Sequence, residues 1–249
     1  MMYLADVKMW EVVRKQVRLK LKSYRGMFTS LMIVQILAIL ISLSGEANQG
    51  GSIDNFEYDL RYYSGNMILA FTMIWAFISA IIMTTKAYRF DDYAFIANRL
   101  TSHIANVLFL IVASITGGMT TLFSTQVLKV IGLLKLDRDY LSSMVLSVPE
   151  FMAGLAATIL YLFLFTAFGY LAGMLVQKNK LFLLLLPAVF FGSIFIEAFI
   201  PEQPALIPDI SKFFGGETSF WLFTLKVLLV SSITFGIAIF TTNRTEVRQ

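Results

Sequence analysis

Thr85–Asn106 reads TKAYRFDDYAFIANRLTSHIAN, a charged and aromatic segment set between two long apolar runs. Those runs, Met67–Thr85 and Ile104–Leu128, are each of the length that carries a helix across a hydrocarbon core of about 30 Å, roughly 20 residues. Four more runs of this kind lie further out: Met27–Ser44, Glu150–Val176, Leu181–Ile200 and Ser219–Thr242. The chain is 57% hydrophobic and 14% charged, where a soluble domain carries about 25% charge. Its mean hydropathy is +0.74. The expected fold is therefore an all-α membrane protein, with residues 1–26 as an arm and 27–249 as a domain of six transmembrane helices.

No cysteine is present, which excludes disulfides and thiolate chemistry, and His103 is the single histidine. The first apolar run starts only after a basic, amphipathic arm, and no small-residue cleavage site follows it. The first span is accordingly expected to be retained rather than cleaved as a signal peptide.

Lys and Arg set the expected orientation. With both termini inside, the inner segments hold fourteen of them, including Lys86, Arg89 and Arg99 in the opening stretch and Lys178 and Lys180 in the turn before the fifth span. The outer loops hold five: Arg61, Lys129, Lys135, Arg138 and Lys212. Acidic residues run the other way. The reading is a multi-pass protein of the cell membrane with both termini cytoplasmic. Its net charge of +4 reflects topology, with no nucleic-acid partner implied.

Residues 7–25, VKMWEVVRKQVRLKLKSYR, have an amphipathic helical period. Lys8, Glu11, Lys15, Arg18, Lys22 and Arg25 fall on one face, with Trp10, Val13, Val17, Leu21 and Tyr24 opposite. Such a helix lies among membrane lipid headgroups, with Trp10, Arg14 and Arg18 as its interfacial anchor. It is either a plain juxtamembrane anchor or an elbow that also touches a cytoplasmic partner.

The outer loop Gly45–Asn66 is Gly-rich, then acidic and tyrosine-rich; it is read as a solvated connection or as a selectivity surface for a cationic amphiphile. Before the last span, IPEQPALIPDISKFFGGE carries three prolines, a short amphipathic piece at Ile210–Phe214 and a Gly pair, the marks of a broken, partly re-entrant segment. Glu197 and Lys226 lie near the outer ends of the last two spans. They are expected to form a charge pair at the outer leaflet; snorkelling, or a substrate or proton role, are the alternatives.

Small residues in the third and fourth spans, among them Gly117, Gly118, Gly169 and Gly173, predict close helix approach, and Pro187 predicts a kink in the fifth. The span centres hold no ionisable group besides that pair, which argues against a carboxylate relay for protons or sodium. Their Met, Phe and Tyr side chains fit either core packing or a path for a hydrophobic substrate. There is no GxxxxGK[ST] loop, no HExxH and no GxSxG elbow, so the chain reads as no enzyme, with no catalytic, cofactor or metal site of its own.

Within the opening stretch, a short helix over Asp91–Arg99 would start on acidic residues and end on Arg99, matching the helix dipole at both ends. Exposed aromatics there would suit a partner's groove, and the third span would begin after Thr101–Ser102. At this point the chain resembles the permease subunits of ABC-2 type (type V) exporters. The amphipathic arm, the FDDYAFIANRLTSH knuckle between spans two and three, and the Pro-rich segment before span six fall where that family has its elbow helix, its coupling helix and a broken helical segment.

The resemblance implies a coupling helix near 89–101, with Phe90, Asp91, Asp92, Phe95 and Arg99 contacting separate ABC ATPase subunits. ATP and Mg would be bound by those subunits, none by this chain. It further implies a second permease copy or paralogue, and outward movement of an amphipathic or hydrophobic molecule. A peptide toxin or antimicrobial is the first expectation, from the acidic outer face and the lack of a large outer domain; drugs or lipids come second. A non-transporting assembly or regulatory subunit is the competing class. His103 is expected to be a hydrogen-bonded residue at the start of span three.

Overall fold

The computed structural model describes residues 9–43, 47–53, 56–62, 65–88, 99–135, 147–199, 206–217 and 219–243. Eight helices run in chain order among them: α1 (Met9–Ser23), α2 (Arg25–Ser42), α3 (Asn66–Thr84), α4 (Arg99–Lys135), α5 (Val148–Lys178), α6 (Phe182–Phe199), α7 (Leu206–Gly215) and α8 (Phe220–Asn243). Two strands, β1 (Ala47–Ile53) and β2 (Phe56–Tyr62), lie between α2 and α3.

Five helices among the described residues, α2, α3, α4, α5 and α8, are long and apolar enough to cross a membrane. That is the pattern of a multi-pass membrane protein. α6 has 18 residues, as α2 does, and rises about 27 Å; its described apolar stretch is Phe182–Phe195. α4 is far longer: its 37 residues rise about 55 Å, well beyond a hydrocarbon core.

Local sequence explains the starts and stops. α5 opens with Ser147-Val148-Pro149-Glu150, a capping box in which the Glu150 amide donates to the Ser147 hydroxyl at 3.4 Å and the Ser147 amide donates to the Glu150 carboxylate at 2.9 Å. Pro149 sits in the first turn, where its missing N–H costs nothing. α1 carries Glu11 in its first turn and Lys20 and Lys22 in its last, each sign matching the nearer helix pole.

Contacts fix how the helices run against each other. Ser30 meets Trp75 and Gln35 meets Thr72, so α2 and α3 are antiparallel. His103 meets Tyr170, while a Cβ on Gly118 would reach the Ile159 side chain, so α4 and α5 are antiparallel. α3 and α5 are parallel: Gly169 lies on the Phe77 carbonyl, and Gly173, one turn on, lies against Ile81 and Thr84. A Cβ at either glycine would run into the backbone or side chain of α3, so this tightest seam requires both glycines.

α5 and α8 are parallel too. The Tyr161 ring pairs with Phe223 at 5.0 Å, and Tyr170, further along α5, pairs with Phe235, further along α8, at 5.6 Å. The chain returns between these two parallel neighbours within residues 179–219, which hold α6 and α7; α6 follows the turn Asn179–Leu181, where the Asn179 side-chain carbonyl accepts the Leu181 amide at 3.0 Å.

Three expectations change. The loop 45–66 contains an antiparallel hairpin paired from Ala47↔Tyr62 to Ile53↔Phe56, an addition to the all-α reading; Gly50–Gly51 and the absence of apolar alternation hide β1 in the sequence. The third span, expected to begin after Thr101–Ser102, lies in a helix that already includes them, since α4 starts at Arg99. The buried stripe of α1 is Val13, Gln16, Lys20 and then Tyr24, rotated from the expected apolar stripe, while Trp10 is 64% exposed. The cause is tertiary: α1 packs against α4, and that contact outranks the helix's own amphipathic pattern.

Candidate functional site

The arm end of the bundle gathers the chain on both sides of the knuckle. Phe90, Asp91, Asp92 and Phe95 lie outside the described residues. Arg99 is the first residue of α4, its side chain likewise outside them. The flanking residues are described, and both flanks are tied inward.

On the near flank, the Tyr88 ring packs on Tyr24, the residue joining α1 to α2, at 4.5 Å. Tyr24 in turn meets Phe109 of α4 edge-on at 5.9 Å, and Phe28 of α2 meets the same ring at 6.0 Å. On the far flank, His103 Nδ1 lies 2.7 Å from the Tyr170 hydroxyl, which also accepts from the Asn106 amide at 3.2 Å. The expectation for His103 as a hydrogen-bonded residue at the base of span three agrees with this contact. Tyr170 then packs on Phe235 of α8.

One buried cluster thus joins the arm, α2, the end of the α3 segment, α4, α5 and α8. Among the contacts described it is built on rings and side-chain hydrogen bonds, with Tyr170 holding its ring in the core and its hydroxyl on His103 and Asn106. Some buried polar atoms in this half have no hydrogen bond, among them atoms of Gln16 and Asn106. Gln16 is 2% exposed with neither amide atom hydrogen-bonded, and the Asn106 side-chain carbonyl has no partner. Orphan groups of this kind are uncommon in settled packing. The Lys20 amine lies 5.8 Å from the Tyr24 ring centre.

Toward the hairpin end, a polar layer crosses α2, α3 and α4. The buried Gln35 amide donates toward Thr120 at 3.0 Å, Thr121 at 3.2 Å and Thr72 at 3.4 Å, and its carbonyl accepts from Ser124 at 3.4 Å. Each threonine also bonds a carbonyl of its own helix, for example Thr72 to Ile68 at 2.7 Å and Thr121 to Gly117 at 2.7 Å. The layer acts as interhelical glue.

At the same end, the Lys226 amine meets the Glu217 carboxylate. It also lies 4.3 Å from the Phe213 ring centre and 3.4 Å from the Phe213 carbonyl at the end of α7. Phe214 beside it is buried against Leu164, Phe223 and Val227. Lys226 therefore fastens the amphipathic α7 to α8. Glu197 stands in α6 with its side chain outside the described residues, so the expected Glu197–Lys226 pair is not among the contacts described. Trp10, Arg14 and Arg18 fall at four-residue steps on one exposed face of α1.

Among the described residues no group of His, Asp or Glu is arranged to hold a metal. Sequence reasoning passed over Tyr170, Gln35 and Glu217, and gave Tyr24 only a place in the apolar stripe of the arm. A signal for Gln35 and the threonines was available: polar side chains inside apolar spans mark helix contacts. Nothing in the sequence pairs Tyr24 with Tyr88, since that contact depends on where the arm docks. Comparison with family models, with characterised proteins and with solved structures gives no match.

Proposed function

We propose that this chain is the membrane-spanning permease subunit of an ATP-driven exporter of the ABC-2 type. It crosses the membrane six times with both termini in the cytoplasm and works with a second permease chain and separate ATPase subunits. The observation that carries the reading is the cluster at the arm end. Both flanks of the 89–98 segment, Tyr88 and His103, are anchored in one packed group that reaches the arm and five of the long apolar helices. A push on that segment by a motor would be passed to the arm and to α5 and α8 together.

The parallel pairs α3/α5 and α5/α8 support six crossings, since strict alternation places each pair two or an even number of crossings apart. The amphipathic α7 ahead of the last helix, fastened by Lys226, supports the same layout. Phe90, Asp91, Asp92, Phe95 and Arg99 form the proposed motor contact, and nucleotide and Mg belong to the motor. The proposed cargo is an amphipathic or hydrophobic molecule, first of all a cationic peptide attracted by the acidic outer segments, with drugs or lipids as the second class.

Co-purification of the tagged full chain from its native membrane tests this. A nucleotide-binding ATPase should accompany the wild type and be lost from Phe95→Ala and Arg99→Glu variants that still insert normally. An ATPase retained by both variants would refute the contact. Its absence from the wild type would favour the non-transporting subunit.

A further inference from the structure

A cleft of about 640 Å³ runs down the side of the bundle, with α5 as its floor and α4 and α8 as its walls. The volume lies within the roughly 300–1,000 Å³ of ligand-binding clefts. Along α4 it extends from Ile104 to Ile115, and along α8 from Leu228 to Ile239. Eleven helical steps rise about 16 Å. That is one leaflet, half of a hydrocarbon core of about 30 Å.

The cleft occupies the arm half of the bundle. Ile104 is just inside the start of α4, and Ile239 is one turn from the end of α8. Toward the bilayer centre it stops at Leu160, which packs against the cluster around Phe214 and Phe223. Its lining is aliphatic and aromatic apart from Ser114 and Ser232, and the Ser114 hydroxyl is spent on the Leu110 carbonyl at 2.8 Å. An extended peptide there would leave its backbone groups unpaired at a cost of several kcal/mol each. A hydrocarbon chain has no such groups.

Beyond the foot, α5 ends on an exposed cation, Lys178. It lies 18 residues after Leu160, five helical turns of 3.6 residues, and so on the face of α5 that floors the cleft, about 27 Å from Leu160 and about 11 Å past the end of a cleft of about 16 Å. A lipid whose chain reaches out of the cleft would carry its phosphate toward that charge, in the headgroup layer.

We propose that this cleft binds a phospholipid of the leaflet at the arm end, with one acyl chain lying between α4 and α8 on α5 and its phosphate at Lys178. The site does not depend on the transport reading and survives if that reading fails.

The test uses the full chain in vesicles of phosphatidylcholine and phosphatidylglycerol, with a phosphatidylglycerol probe carrying a photoreactive diazirine in its acyl chain. Adducts should concentrate on residues 104–115 and 228–239. Gly236 lines the cleft, and a Cβ there meets nothing within 4 Å, so Gly236→Leu fills the cleft without forcing the core. This variant should unfold at the wild-type temperature and lose about tenfold of the cleft adducts, as expected when about two methylenes are kept out. Lys178→Glu should lower labelling by the anionic probe at the same peptides. Cleft labelling that survives Gly236→Leu would overturn the proposal. So would adducts spread evenly over α2 and α6, cleft adducts joining two copies of this chain, or labelling indifferent to Lys178→Glu.

Discussion

The arm end and the hairpin end of this bundle are held together by different chemistry. At the arm end, Tyr24, Tyr88, Phe109, Tyr170 and Phe235 make a chain of ring contacts, with His103 and Asn106 hydrogen-bonded to the Tyr170 hydroxyl and Lys20 buried beside Tyr24. At the hairpin end, a charged lysine fastens α7, and a glutamine layer binds α2, α3 and α4. Ring contacts tolerate sliding, since a tilted pair loses little on becoming another tilted pair. The glutamine layer has discrete partners and holds one register. The difference suits the proposed permease, which would be driven from the arm end and hinged at the other; the buried Gln16 without a hydrogen bond lies at the arm end.

The largest effect expected is all-or-none. The chain has no cysteine, so single cysteines at Lys180 and Lys212 report the two ends cleanly. In intact cells an impermeant maleimide should label Lys212→Cys and leave Lys180→Cys unlabelled until the membrane is opened. Equal labelling would remove the cytoplasmic assignment of the arm end.

Next in size is Tyr170, which is almost fully buried at the crossing of α4, α5 and α8. Tyr170→Ala should cost about 3–5 kcal/mol, as for large aromatic truncations in packed cores. Tyr170→Phe keeps the ring and removes only the hydroxyl shared with His103 and Asn106, at about 1–3 kcal/mol. Thermal unfolding in detergent separates the two; equal losses would mean that the hydrogen bonds, not the ring, hold this end.

The smallest effects belong to the hairpin end. Gln35→Leu should cost only about 0.6 kcal/mol, the average for interhelical hydrogen bonds in a membrane bundle, because the threonines keep their own-helix acceptors. Lys226 and Glu217 have side chains about a quarter exposed. Lys226→Met should therefore cost about 0–1 kcal/mol, less still at high salt. A Lys226→Met loss larger than that of Tyr170→Phe would invert the proposed division between the ends.

The helices were legible from apolar run length. The expected Met67–Thr85 and Ser219–Thr242 differ by one residue at each end from α3 and α8. Length needs only local information. The hairpin was not legible, because Gly50–Gly51 carries no strand pattern and pairing depends on β2. The inward face of α1 was not legible either: Gln16 and Lys20 are buried by docking on α4, a tertiary fact that no local period encodes. For the candidate site, His103 and the knuckle stood out by charge and position. Their connection through Tyr24 and Tyr170 required the fold, since residues 67 positions apart meet only once α4 and α5 pack.

The central claim is that the segment between Tyr88 and Arg99 receives a motor. Its most direct test is a photoreactive phenylalanine analogue placed at Phe95 of the full chain in its native membrane. The account predicts a cross-linked product containing a nucleotide-binding ATPase subunit, with none formed when the analogue replaces Phe190 on the exposed face of α6. Cross-links from Phe95 only to lipid or to this same chain would contradict it.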